Sequence, residues 1–172
     1  MSLLTALGLA LGLTSPTPGL TVANLGPTAL SVNFIFAYGL LSSRTIKQYY
    51  GLDHNVSPRE DLAKYGDAAV RSGKISQKTL DMIKRNESAH ANAVENYALL
   101  VGAVAMATVA GVERASINRA VVVYTLARIA YAIVYITVDK PKWSQLRGLC
   151  WWTGNLCCLN LLRKAALLLG AE

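Results

Sequence analysis

The chain has 172 residues, room for one compact domain and hardly for two. Hydrophobic residues make up 53% and charged residues 16%, against roughly 25% charged in an average soluble domain, an imbalance that favours a membrane protein. The net charge is +7, yet nine of the 17 Lys and Arg fall between Arg44 and Arg85 (44, 47, 59, 64, 71, 74, 78, 84 and 85) and three more lie at Lys140, Lys142 and Arg147, beside apolar runs. Such placement speaks for membrane orientation and gives nucleic-acid binding no support.

Met1 to Ser43 carries no charge. Within it, residues 1–18 form an apolar N-terminal segment that ends in the SPTPG break and lacks the basic start of a cleavable signal peptide, so it is expected to be retained. Four apolar stretches follow, each near the ~20 residues that cross a bilayer core. The first runs from about Gly19 to Leu41, with Pro27 as a helix start or kink. The second is 88–110, the third about 118–138, interrupted by Arg119 and Arg128, and the fourth about 146–169, interrupted by Arg147, Arg163 and Lys164. This predicts an all-α, integral membrane four-helix bundle in a single domain over 19–172. A fifth span from residues 3–13 would be very short.

Residues 49–80 are the only long polar segment and form the predicted cytosolic loop. SPRED reads as a helix start, with Ser57 as N-cap and Pro58 at the first helical position, and Arg71-Ser72-Gly73-Lys74 reads as a turn. The basic residues place this loop and VDKPKWSQLR (138–147) in the cytosol, while AGVERAS (110–116) is short and near neutral. Both termini are therefore expected to face the lumen or exterior. Cys150, Cys157 and Cys158 lie in one apolar stretch without clustered His or Asp, so they are expected to pack, and no metal site is predicted.

Inside the second span, Arg85, Ser88, Asn92 and Glu95 are related by steps of three and four and share one helical face. If Arg85 marks the surface, Glu95 lies roughly 15 Å deeper at 1.5 Å per residue, where a carboxylate is costly unless paired or bonded to a ligand. On the third span Arg128 lies at a similar depth, with Tyr131 and Tyr135 on its face. Arg147 stands at the mouth of the fourth. Together these residues are expected to line a polar pocket open to the cytosol. The structural alternative is a buried Glu95–Arg128 ion pair that only fixes helix register, with the tyrosines as interface anchors.

These residues also carry a resemblance. AHANAVEN at 89–96 resembles the second-helix signature Arg-Ala-x-x-Asn-x-x-Glu of the membrane-associated proteins in eicosanoid and glutathione metabolism (MAPEG), with Ser88 in place of the arginine and Arg85 one turn earlier. RIAYAIVY at 128–135 resembles that family's Arg-x-x-(Tyr/His)-x-x-x-Tyr, and QLR at 145–147 resembles the segment bearing its thiolate-stabilising arginine. The resemblance implies a homotrimer of four-span chains, in the endoplasmic reticulum, with glutathione held between subunits and a lipophilic substrate entering from the bilayer. It implies cofactor-binding roles for Arg44, Arg85, Asn92, Glu95, Arg128, Tyr131 and Tyr135, and catalytic roles for Arg147 and Tyr135. The implied activity is a glutathione-dependent transferase or peroxidase acting on lipophilic electrophiles or lipid hydroperoxides. Alternatives are a non-catalytic lipid-binding or scaffolding member, or a tailoring enzyme or isomerase for a lipophilic metabolite. Tyr124, Trp151 and Trp152 are candidates for shaping the apolar part of the site.

Overall fold

The computed structural model describes residues 3–13 and 22–170, and these are helical with no strand. In chain order the helices are α1 (Leu3–Ala10), α2 (Gly26–Phe34), α3 (Ser43–Tyr49), α4 (Asp61–Arg71), α5 (Gln77–Val109), α6 (Arg114–Thr137), α7 (Pro141–Ser144) and α8 (Leu146–Leu169). α2 continues directly into a π-helical stretch, Ile35–Leu40. α6 and α8, joined by a short connection, pack most extensively, α5 lies against both, and α2 leans on α5 and α6.

By length and composition, α5 and α6 are two described helices able to cross a membrane. α8 has the length of a span, but Arg147, Asn155, Asn160, Arg163 and Lys164 interrupt it. α2 and its π-helical continuation together are shorter than the expected first span, because the helix begins at Gly26 and not near Gly19. The cause is Asn118, whose fully buried amide accepts from Leu25 N at 2.8 Å and donates to the carbonyls of Ala23 and Ala10. That clamp holds the backbone at 23–25 away from a helical hydrogen-bond pattern. Pro27 then sits in the first turn of α2, where its missing N–H costs nothing.

The interior follows from residue size. Leu100, Val104, Ile117, Val121, Tyr124 and Leu161 fill the space between α5, α6 and α8, while Ala103 and Ala107, fully buried, let the backbones approach closely. α5 starts well before the expected second span. Ser76 caps it by accepting from Thr79 N at 3.1 Å, and its 33 residues reach about 50 Å, beyond a bilayer core of about 30 Å. On the overhang Leu80 and Ile83 meet Leu52, Leu62, Ala69 and Ile75, so the polar segment has a small core of its own.

The helix expected from Ser57 begins instead at Asp61. Two contacts draw residues 57–60 into a turn: the Pro58 carbonyl accepts from the buried Lys47 ammonium, and the Asp61 carboxylate accepts from His54 N at 3.1 Å. The turn at 71–74 is present. Gly73 takes φ +75° and Lys74 N donates back to Ala69 O at 2.9 Å, a left-handed helix end that favours glycine.

Candidate functional site

At one end of the helical core two guanidinium groups and two phenol rings form a ladder. The Arg128 guanidinium lies over the Tyr131 ring at 4.5 Å, Tyr131 and Tyr135 meet edge-on at 5.5 Å, and Arg147 lies over the Tyr135 ring at 4.6 Å. Positions 128, 131 and 135 share one face of α6 by helical spacing. The connection after Thr137 turns the chain back so that Arg147, at the start of α8, meets Tyr135. Each cation–ring contact contributes roughly 0.5–2 kcal/mol, more where water is excluded.

Arg128 and Tyr131 are the buried members, 3% and 5% exposed. One terminal nitrogen of Arg128, Nη2, donates to Asn92 Oδ1 at 2.8 Å, while the other, Nη1, is buried with no hydrogen-bond partner. The expected alternative of a Glu95–Arg128 ion pair is thus replaced by a charge–amide contact. Ala89 and Ala93 occupy the inward side of α5 here, Asn92 stands at its margin, and Glu95 is turned outward and exposed, with no ion pair among the described residues.

Arg85 joins the foot of the ladder by donating from Nε to the Ile136 carbonyl at 3.0 Å, next to Tyr135 at the end of α6. Ser88 is exposed and spends its hydroxyl on the Lys84 carbonyl of its own helix. Arg44 is not part of the ladder. It pairs with Asp53 at 3.0 Å and hydrogen-bonds Asn55, and that contact holds the Asp53 carboxyl below its ordinary value of 3.8. The structure therefore brings together Arg85, Asn92, Arg128, Tyr131, Tyr135 and Arg147, puts Glu95 on the outward flank one turn from Asn92, and ties Arg44 into the polar segment.

One turn along both helices lies a polar network that helical spacing alone does not reveal. Asn96 donates to Asn155 Oδ1 at 2.8 Å and accepts from the Tyr124 hydroxyl at 2.9 Å. Tyr124, expected to shape an apolar cleft, is 2% exposed and belongs to this network, whereas Trp152, paired edge-on with Trp151, is exposed. Asn33 links α2 to Thr125 of α6 at 2.8 Å, and His90 holds the Ala37 carbonyl of the π-helical stretch at 2.9 Å, which needs the proton on Nδ1. A lone asparagine inside an apolar run was the available signal, since an amide there needs an interhelical partner. Lys47, 1% exposed and paired with Glu87 at 3.0 Å, gave no such signal because it sits in a generally basic stretch.

The donor set fits glutathione, a peptide with two carboxylates, an amine and a thiol. Arg128 Nη1 is a buried cationic N–H with no acceptor, Arg85 and Arg147 add positive charge at the far end of the ladder, and Glu95 offers an uncommitted carboxylate for the amine. Among the described residues no three His, Cys, Asp or Glu side chains converge to hold a metal.

The profile of the MAPEG family matches residues 25–167 of the chain. No curated protein and no solved structure matches the chain. The matched segment opens just before α2, closes near the end of α8 and contains every residue of the ladder. The chain belongs to the MAPEG family of membrane proteins, which includes glutathione transferases and peroxidases together with other members.

Proposed function

We propose that the protein is a membrane-bound, glutathione-dependent transferase or peroxidase acting on lipophilic electrophiles or lipid hydroperoxides. The observation that carries this reading is the buried, half-satisfied guanidinium of Arg128 beside Asn92, at the inner end of a ladder that finishes in Arg147. An intramembrane cation without a full set of partners is expensive unless a ligand completes it.

In this reading Arg85, Asn92, Arg128 and Tyr131 bind and orient the peptide, and Glu95 takes its amine. Glutathione, when bound, supplies a thiol whose deprotonated form is the nucleophile. Arg147 favours the anion by its charge, and the Tyr135 ring fixes the guanidinium while its hydroxyl remains a donor. Arg44 serves at a distance, by ordering the polar segment through Asp53.

The assembly proposed is a homotrimer of four-span chains built from residues 19–172, with the polar segment and the site on the cytosolic side of the endoplasmic reticulum membrane and both termini lumenal. Support comes from the outward face of α5, where Ser88, Ala91, Ala98, Gly102 and Ala105 are all exposed in the single chain. A stripe of small residues at steps of three and four suits close helix packing in lipid. Glu95 lies in the middle of it, so a neighbouring copy would enclose the carboxylate.

Ser88 favours a second reading, a lipid-binding member without catalysis, because it removes one cation from the motif. A glutathione-independent isomerase or tailoring enzyme for a lipophilic metabolite would use the same residues. Calorimetric titration of the detergent-purified protein with reduced glutathione separates these, followed by an ultraviolet difference spectrum for bound thiolate. Saturable binding with a thiolate signal that Arg147→Ala abolishes is the expected result. Absence of saturable binding would reject the glutathione chemistry.

A further inference from the structure

At the opposite end of the helical core, away from the ladder, two cations of the apolar helices converge on a single hydroxyl. Lys164 of α8 donates to Ser116 Oγ at 2.9 Å and Arg119 of α6 donates to the same oxygen at 3.3 Å. Ser116, 7% exposed, donates its own hydrogen bond to Glu113 at 3.1 Å, and Arg119 also donates to the Leu11 carbonyl at 3.3 Å. Neither cation has an ion pair among the described residues. Each lies five residues inside its helix end, about 7.5 Å into the span.

From this cationic head a groove runs between α6 and α8, floored by Ala120 and Cys157 and flanked by the outward Val123 and Leu156. From Lys164 to Thr153 it extends about 16 Å along the helices. Two positive groups at the edge of the hydrocarbon layer, joined to a mainly apolar channel with Asn160 near its head and Thr153 at its far end, have the layout of an anionic amphiphile. Two cations share one nearby carboxylate, Glu113, which reaches them only through the Ser116 hydroxyl, so positive charge is in excess, and a phosphate oxygen is the acceptor that converging ammonium and guanidinium groups fit.

We infer that this groove is a binding site for an anionic phospholipid, with its phosphate on Arg119 and Lys164 and one acyl chain lying along Val123 and Leu156. The site is separate from the ladder and does not depend on glutathione chemistry.

Native mass spectrometry of the full chain, released from micelles supplemented with dioleoyl phosphatidylglycerol or dioleoyl phosphatidylcholine, tests it. The wild-type protein should keep a phosphatidylglycerol adduct at roughly tenfold the level of phosphatidylcholine, the scale of one charge-assisted contact. Arg119→Gln combined with Lys164→Gln should bring the two lipids level, whereas Arg163→Gln, an exposed cation next in sequence, should change nothing. Leu156→Trp fills the groove with both cations intact and should also remove the adduct, so the test survives if the double variant fails to fold. Equal retention of both lipids by the wild type, an undiminished adduct in the variants, or inorganic phosphate held in place of lipid would each overturn the assignment.

Discussion

Two buried polar layers lie one helical turn apart on both α5 and α6, and they differ in one respect. In the layer of Asn96, Tyr124 and Asn155 the side chains answer one another across three helices. In the layer of Asn92 and Arg128 a charged group has one amino nitrogen satisfied and the other facing no acceptor. The other unpartnered buried side-chain atom among the described residues, Asn86 Oδ1, belongs to a neutral amide, whose desolvation is far cheaper than that of a charge. A closed hydrogen-bond set holds helices together; an open one at a charged group leaves an N–H for the ligand proposed above.

That contrast is broken most forcefully from the closed side. Asn96→Ala removes the donor to Asn155 and the side-chain acceptor of Tyr124, leaving that hydroxyl only the long contact to the residue-96 carbonyl at 3.4 Å. Destabilisation of about 2 kcal/mol is expected, allowing for the modest worth of interhelical hydrogen bonds in lipid. Thermal unfolding in detergent followed by circular dichroism measures it, and glutathione affinity of the folded fraction should hold. A loss of affinity with unchanged stability would reverse the roles given to the two layers.

From the open side, Arg128→Met keeps the length of the side chain and deletes the charge. Glutathione should bind at least roughly tenfold more weakly, about 1.4 kcal/mol, while stability stays within about 1 kcal/mol, because an incompletely paired buried charge adds little to folding. Calorimetry and unfolding on the same sample give both numbers. Between the layers, Gly154 tests packing alone: an added Cβ would meet Arg128 Cδ and the Tyr124 ring at 3.5 Å, ordinary contact distances. Gly154→Ala should therefore raise stability by about 0.5–1 kcal/mol through helix propensity, with binding unaffected.

How far the sequence anticipated this depends on which force set each feature. α6 and α8 lie close to the apolar runs at 118–138 and 146–169, because burial and lipid exposure decide them. Arg85, Asn92, Arg128, Tyr131 and Tyr135 were legible from helical spacing, since polar groups inside apolar runs must find one another, and Arg147 from its place at the mouth of the fourth run. The features that escaped depend on single hydrogen bonds between distant residues: the clamp of Asn118 on residues 10, 23 and 25, the late start of α4 imposed by Lys47 and Asp61, and the choice of Asn92 over Glu95 as partner of Arg128. Apolar counting also stopped the second span at residue 88, because the overhang of α5 is stabilised by Leu80 and Ile83 against the polar segment and not by lipid.

The smallest effect concerns Arg44, which the same contrast assigns to the closed class. Its guanidinium is taken up by Asp53 and Asn55, so Arg44→Ala should leave glutathione affinity within roughly twofold, a residual of exposed charge at a distance. The pair should instead be visible in titration. Asp53 has its carboxyl lowered from 3.8, first by the hydrogen bond from Arg44, with Gln48 and the Asn55 N–H adding to it. A lowered folded-state value means that the contact contributes to order in the polar segment above pH 3.8 and is lost as pH falls through the folded value. The Asp53 carboxyl carbon, followed by NMR in detergent, should therefore titrate below 3.8 in the wild type and move back up in Arg44→Ala. An unmoved midpoint, together with weakened glutathione binding in the same variant, would transfer Arg44 from the polar segment to the site.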